Sequence, residues 1–250
     1  MSESYVRLTA DNLEQEHLCC AIADKKHQAG IERKKAWLRE QLPDGHVFYK
    51  LDARGKVFIE YAPVQTAWVP VEGDDYLYIH CLWVSGSFQG KGHARHLLGA
   101  CLADAKRQGR AGVCVLSSNK KRPFLSDKKF FLRHGFVVAD RIGDGYELLA
   151  LSLDGTLPRF CDAARQCRIH EQALTIYHSP QCPYAADCIE QIKGYCAANA
   201  VPLQVVPVTS AAQAKAVPGP FNNWAVFLHG EFQTVHLLNE GFLKKLLEQA

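Results

Sequence analysis

The chain has 250 residues, 48% of them hydrophobic and 22% charged, which suits one large globular domain or two smaller ones. Its formal net charge of +3 is small and dispersed, which argues against a nucleic-acid or membrane-surface partner. The first residues carry no apolar signal core and no run approaches membrane length, so a cytoplasmic protein is expected.

In chain order, residues 13 to 41 predict an extended helical region. It opens after Asp11 and Asn12 as N-caps and is interrupted near Gly30, with Leu18, Ile22, Ile31, Trp37 and Leu38 facing inward. Cys19 and Cys20 read as packing residues; the chain has ten cysteines but no Cys-x-x-Cys pair, so reduced thiols are expected. Pro43-Asp44-Gly45 turns into a strand over 46–51, which residues 52–56 join as a hairpin to a strand over 57–62. A loop with Pro63, Pro70 and acidic residues from Glu72 to Asp75 then leads to the most informative stretch, residues 76 to 98.

That stretch begins as an aromatic and β-branched strand over 76–84, broken by Ser85, Gly86 and Ser87. Gln89-Gly90-Lys91-Gly92-His93-Ala94 then enters a helix from 92 to about 108, with Leu97, Leu98, Cys101, Leu102 and Ala105 on its apolar stripe. A strand, a glycine turn and a helix N-terminus make an anion site, because the first N–H groups lack intrahelical partners and the dipole favours negative charge. Gly90 and Gly92 let a phosphate approach the main chain, and Lys91, His93 and Arg95 can add positive charge. The spacing excludes a P-loop and a dinucleotide fingerprint.

Residues 112–116 form a short buried strand, followed by the basic loop Ser117-Ser118-Asn119-Lys120-Lys121-Arg122-Pro123. A helix over 127–133 closes on His134-Gly135-Phe136, and strands over 137–140 and 146–151 flank a Gly143-Asp144-Gly145 turn. Residues 159–172 read as a linking segment, in which Cys161, Cys167 and His170 have the wrong spacing for a common zinc finger. A second unit follows: a strand over 174–178, the loop Ser179-Pro180-Gln181-Cys182-Pro183-Tyr184 into a helix, a strand over 202–208, a hairpin over 224–235 and a terminal helix from 239.

The pattern Gln89-x-x-Gly92-x-Ala94, set after a strand and before an amphipathic helix, resembles the Gln/Arg-x-x-Gly-x-Gly/Ala loop of the GCN5-related N-acetyltransferase (GNAT) family. The helix closing on Gly135-Phe136 and the antiparallel meander ahead of the loop are similar to the same family. The resemblance covers residues 1–153 and implies an α/β (α+β) fold with a mixed sheet flanked by helices. It also implies acetyl-CoA as cosubstrate, no metal, and Leu82, Trp83 and Val84 along the pantetheine arm. Gln89, Gly90, Lys91, Gly92, His93, Ala94 and Arg95 would then hold the pyrophosphate, with Ser118, Asn119 and Phe131 flanking the cofactor cleft. After a linker at 154–172, residues 173–250 have a thioredoxin-like element order. Cys182-Pro183-Tyr184-Ala185 resembles the glutaredoxin Cys-Pro-Tyr-Cys, with Ala185 in place of the second cysteine, and Pro218 or Pro220 is the candidate cis-proline. The whole resembles acetyltransferases of the YoaP type.

The implied reaction is direct attack of an amine, on a small-molecule or peptide acceptor, at the acetyl thioester. His80 is the first candidate base, since an imidazole titrates near neutrality; the bland reading is a histidine packed under the helix. Strand alternation puts His80, Leu82 and Val84 on one face. Glu60 and Glu72 are weaker candidates, and the Val84 N–H would polarise the carbonyl as in the family. Phe131 stands where many members place a tyrosine acid, so either Tyr146 or another group substitutes, or the thiolate leaves without a dedicated acid. Cys182 at a helix N-terminus is the candidate reactive thiol. The alternative is an acyl-CoA sensor or a monothiol redox or substrate-binding protein. Oligomeric state stays open, a homodimer included.

Overall fold

Apolar alternation in the first half of the chain is satisfied by one seven-stranded mixed sheet, seen in a computed structural model that describes residues 4–22 and 27–248. Residues 23–26 of the expected first helix and the Cys19 side chain lie outside the described residues. The sheet comprises β1 (Tyr5–Arg7), β2 (Val47–Leu51), β3 (Val57–Pro63), β5 (Tyr76–Val84), β6 (Gly112–Ser118), β7 (Val137–Ile142) and β8 (Tyr146–Ser152), in the order β1-β2-β3-β5-β6-β8-β7. Only β5 and β6 are parallel; every other neighbouring pair is antiparallel.

Helix α2 (His93–Arg107) covers one face, its Leu97, Leu98, Cys101 and Ala105 packing with Leu77, Ile79, Val113 and Val115 of the central strands. On the other face α1 (Gln28–Gln41) packs Trp37 and Leu38 with Phe48 and Phe58. Two expectations for this region are corrected. Residues 11–16 form turns, because the Asn12 side chain bonds the Thr9 N–H and the Arg7 carbonyl instead of capping a helix. Gly30 lies inside a continuous α1, and a Cβ there would overlap the Pro183 carbonyl. This glycine marks a close backbone approach, not a break.

Two irregularities in β5 shape everything downstream. Glu60 pairs with Cys81 and Tyr61 with Ile79, so His80 is the extra residue of a bulge. In addition β5 pairs with β6 only from Tyr76 to Ile79, whereas β6 continues alongside β8 to Ser118. The two parallel strands therefore part beyond Ile79 and Val115.

The segment expected as a linker is tied down at both ends. Its β9 (Arg159–Phe160) pairs with β4 (Val71–Glu72), a short α4 (Asp162–Arg165) follows, and Ile169 N–H donates to the Gly230 carbonyl at 2.8 Å. The last third of the chain builds β10 (Leu174–His178), α5 (Ala185–Ala198), β11 (Leu203–Pro207), α6 (Ala211–Lys215), β12 (Trp224–Leu228), β13 (Glu231–Thr234) and α7 (Glu240–Glu248). Its sheet runs β11-β10-β12-β13, with β10 and β11 parallel and the remaining pairs antiparallel. Val208, Phe221, Ala225 and Phe227 of this unit share one apolar cluster with Trp37, Phe48 and Phe58 of the first. Among the described residues no peptide bond is cis, so Pro218 and Pro220 hold the ordinary trans form rather than the expected cis one. No helix among the described residues is long and apolar enough to cross a membrane.

Candidate active site

The glycine loop adopts the geometry an anion requires. Gly90 (φ +76°) and Gly92 (φ +88°) occupy the left-handed region, Gly92 being the N-cap of α2. A Cβ built on either would meet nothing within 4 Å, so the space before the loop is open. Val84, Gln89, Gly90, Gly92, Ala94, Arg95 and Phe130 line a shallow cavity of about 350 Å³ there, and Lys91 Nζ sits 5.9 Å from the centre of the Phe88 ring.

Two residues assigned by sequence to the cofactor site, His93 at the loop and Phe131 at the flank of the cleft, are buried. His93 starts α2 facing inward, buried, with Nδ1 2.8 Å from the Tyr5 hydroxyl and its ring edge-on to Phe88, so it forms the inner wall of the loop cavity together with Phe88. Phe131 is 1% exposed and packs edge-on to Phe136 in the core beneath α2; its neighbour Phe130 borders the loop instead, because α3 (Lys128–Arg133) turns that side outward.

The exposed edge of β5 runs from this loop to a second cavity. Ser85 N–H donates to the Lys56 carbonyl at 3.0 Å, and residues along a strand alternate in the edge to which they turn their peptide groups. Leu82 and Val84 therefore direct N–H and C=O toward the gap that β6 leaves. The Gln89 side chain donates to the Val84 carbonyl from that side at 3.3 Å.

The second cavity, about 410 Å³, is closed by both units. The first supplies Lys34, Phe58, Glu60, residues 80–83 and the loop 123–126; the second supplies Gln181, Cys182, Pro183, Tyr184, Asn222 and Asn223. The bulge overturns the expected alternation. His80 and Cys81 both reach this cavity, while Leu82 and Val84 pack with Leu77 and Ile79 toward α2.

A buried ionic cluster forms the cavity floor. Glu60 Oε2 pairs with Lys34 Nζ at 2.6 Å, Oε1 lies 3.0 Å from His46 Nε2, and the Gln181 amide of the second unit donates to Oε1 at 3.4 Å. Burial alone would raise the Glu60 carboxyl, but Lys34 and the His46 hydrogen bond outweigh it and hold the group at about 2. Burial opposes the Lys34 charge too, yet Cys20 and Glu60 keep it above the ordinary lysine value. His80 stacks on His46, ring centres 5.3 Å apart, is 5% exposed, and has no hydrogen-bond partner at either ring nitrogen. Burial, then His46, push it well below 6.5, so it is neutral at physiological pH.

The remaining sequence candidates fall into place or out of it. Cys182 lines the cavity, but burial pushes its thiol up to about 11 against the Tyr184 and Ala185 N–H groups, so the expected helix-stabilised thiolate is not formed at neutral pH. Tyr146 is buried between the Arg122 guanidinium and Phe232 and does not line the cavity. Ser118 bonds the Lys120 carbonyl, and Asn119 is held beneath the turn at Gly145, so neither reaches the glycine loop. The basic loop is tied to the turn at residues 143–145, Lys120 and Arg122 both pairing with Asp144 at 3.0 and 2.9 Å. Glu72 pairs with Arg159 away from the cavity. Among the described residues no cluster of three His, Cys, Asp or Glu could hold a metal ion. Sequence reasoning missed Lys34, His46, Gln181 and Asn222. One signal was available for Lys34, a charge between Ile31 and Leu38 on an otherwise apolar helix stripe.

An open glycine turn at a helix N-terminus and a parted strand edge that runs from it to a half-open cavity leave room for an extended, phosphate-bearing cosubstrate along β5. The family model for the acetyltransferase (GNAT) family matches residues 11–136, and the chain belongs to that family. Residues 202–245 match the YoaP-like model. Across 97% of its length the chain is 38% identical to 98% of the uncharacterized N-acetyltransferase YoaP of Bacillus subtilis (strain 168). Among solved structures, the PaiA N-acetyltransferase of Thermoplasma acidophilum in complex with coenzyme A aligns with 61% of this chain and 99% of its own, at 18% identity and a TM-score of 0.40. The ribosomal-protein-S18-alanine N-acetyltransferase of Escherichia coli aligns with 62% of this chain and 96% of its own, at 14% identity and a TM-score of 0.42.

Proposed function

We propose that this acetyltransferase moves the acetyl group of acetyl-CoA to an amine held in the cavity between the two units, with His80 as the general base. The observation that carries the reading is His80 itself, a neutral imidazole on a cavity-lining residue at the point where β5 parts from β6, whose two buried ring nitrogens have no hydrogen-bond partner. A neutral imidazole can take the ammonium proton as the amine attacks. The Glu60 carboxylate, fixed by Lys34 and His46, is too acidic to be the base; it orients His46 beneath His80.

The open glycine loop suits a pyrophosphate, with Lys91 and Arg95 beside it. The free edge at Leu82 and Val84 suits an extended amide-bearing arm, and the Val84 N–H on that edge suits a developing oxyanion. Neither Tyr146 nor Phe131 lies at the cavity, so no tyrosine acid is assigned. The relative's printed name, an N-acetyltransferase, agrees with an amine acceptor. The sheet order of residues 173–250 and the loop entering α5 support a thioredoxin-like domain whose role here is to wall the cavity. Thiol exchange is not favoured, because Cys182 is protonated at neutral pH and Ala185 leaves no resolving thiol in the motif. The test is coenzyme A release from acetyl-CoA by the full chain. Release that depends on added amine and falls about a hundredfold or more in His80→Ala supports the reading; release unaffected by that substitution rejects His80 as the base.

A further inference from the structure

The cavity that closes over His80 also carries information about what fits inside it. Its charged lining residues, Lys34 and Glu60, are spent on each other at 2.6 Å, both side chains 2% exposed. No carboxylate among the described lining residues is left to receive a second ammonium group. At the mouth, Lys56 Nζ lies 4.7 Å from the centre of the Trp83 ring, which adds positive charge where a polycation would have to enter.

The walls are flat and apolar. Trp83 and Phe124 are 36% and 55% exposed, two of the few large hydrophobic side chains left uncovered, and both line this cavity along with Phe58 and Tyr184. Phe124 is held at φ +60°, a conformation that strains a bulky side chain, with its ring centre 4.9 Å from that of His236. Beside them sits an unused acceptor. The Gln181 amide nitrogen donates to Glu60, which fixes the side chain's orientation, and the opposite oxygen, on a residue 2% exposed, has no partner. A cavity that holds a neutral imidazole and no unpaired carboxylate, within aromatic walls, matches a ligand with a single amino group on an aromatic body. Gln181, Pro183 and Asn222 of the second unit close part of the cavity wall.

We propose that the acceptor site takes small aromatic monoamines, the amino group lying toward His80 and Gln181 while Trp83 and Phe124 flank the ring. This proposal rests on the acetyl-transfer reading for its chemistry, but its binding part is separable. Calorimetric titration of the full chain with 2-phenylethylamine, without acetyl-CoA, should show saturable binding, whereas spermidine and a free-N-terminus hexapeptide at the same concentrations should not bind. With acetyl-CoA present, coenzyme A release should favour phenylethylamine over both by about tenfold or more in kcat/KM. Phe124→Ala, at a half-exposed loop position whose ring meets one other aromatic ring among the described residues, that of His236, should raise KM about tenfold with kcat held.

Spermidine or the peptide as the preferred acceptor would overturn the ligand class while leaving acetyl transfer standing. Phenylethylamine binding without coenzyme A release would uphold the ligand class and remove the acetyl-transfer reading. An unchanged KM in Phe124→Ala would reject the aromatic walls as the source of selection.

Discussion

Lys34 and Glu60, twenty-six positions apart, meet at 2.6 Å beneath the cavity with both side chains almost fully excluded from solvent. A buried pair of this kind stabilises little by itself, because desolvation offsets much of the attraction. Losing one partner is a different matter. Glu60→Gln or Lys34→Met should each destabilise the protein by about 3–5 kcal/mol, through the uncompensated charge left behind. The double variant Lys34→Met, Glu60→Leu should recover much of that loss. Urea unfolding of the four proteins checks it, and additive losses would contradict a coupled pair.

The same cluster sets the response to pH. Unfolded, Glu60 titrates near 4.5; folded, at about 2. As pH falls the unfolded chain takes up this proton first, so the stabilisation present above 4.5 is lost progressively toward 2. His80 adds to the loss at a higher pH. Folding depresses its pKa below 6.5, so the unfolded state gains a proton that the folded state refuses once pH drops below that value. Lys34 acts in the opposite direction, its stabilisation being full below 10.5 and lost above the raised folded value. The urea midpoint should decline from pH 7 to 5 in the native sequence and decline less in His80→Phe. Equal slopes would place His80 in contact with water.

The contact of α1 with the second unit is close enough to test sterically. Gly30→Val would drive side-chain atoms into the Pro183 main chain, a rigid neighbour rather than a flexible one. Loss of about 1–3 kcal/mol is expected, together with a higher KM for the acceptor as the Cys182–Tyr184 wall is displaced. If KM stays unchanged, that wall does not bound the acceptor site.

Cys182 should behave as an inert thiol. Pushed up to about 11, it is almost wholly protonated at pH 7.5. Alkylation by iodoacetamide should be slow there and accelerate toward pH 11, and Cys182→Ser should retain acetyl transfer. Fast labelling at neutral pH, or loss of transfer, would restore a functional thiolate.

The sequence was most legible where local chemistry decides structure. The break at Ser85 to Ser87, the two glycines and the amphipathic stripe of Leu97, Leu98 and Cys101 were each sufficient to predict the strand, turn and helix that the structure contains. Legibility failed where tertiary contacts decide. Gly30 looked like a helix break because nothing in the sequence announces the Pro183 backbone, 153 positions away, that requires a glycine there. Strand alternation put His80 with Leu82 because a single-residue bulge leaves no mark in a nine-residue apolar run. Phe130 and Phe131 are adjacent and chemically identical, so only the orientation of α3 could tell which borders the loop. The dipole argument for Cys182 was sound locally, and burial outweighed it.

The most direct test of the central claim is calorimetric titration of the full chain with acetyl-CoA, repeated with Gly92→Glu. A side chain at Gly92 meets open space, so the variant should fold with only the strain of its left-handed backbone, yet it puts bulk and negative charge where the pyrophosphate is proposed to lie. Saturable micromolar binding in the native sequence, lost in the variant, is the predicted result. No binding in the native sequence, or equal binding in both, would contradict the assignment of the glycine loop.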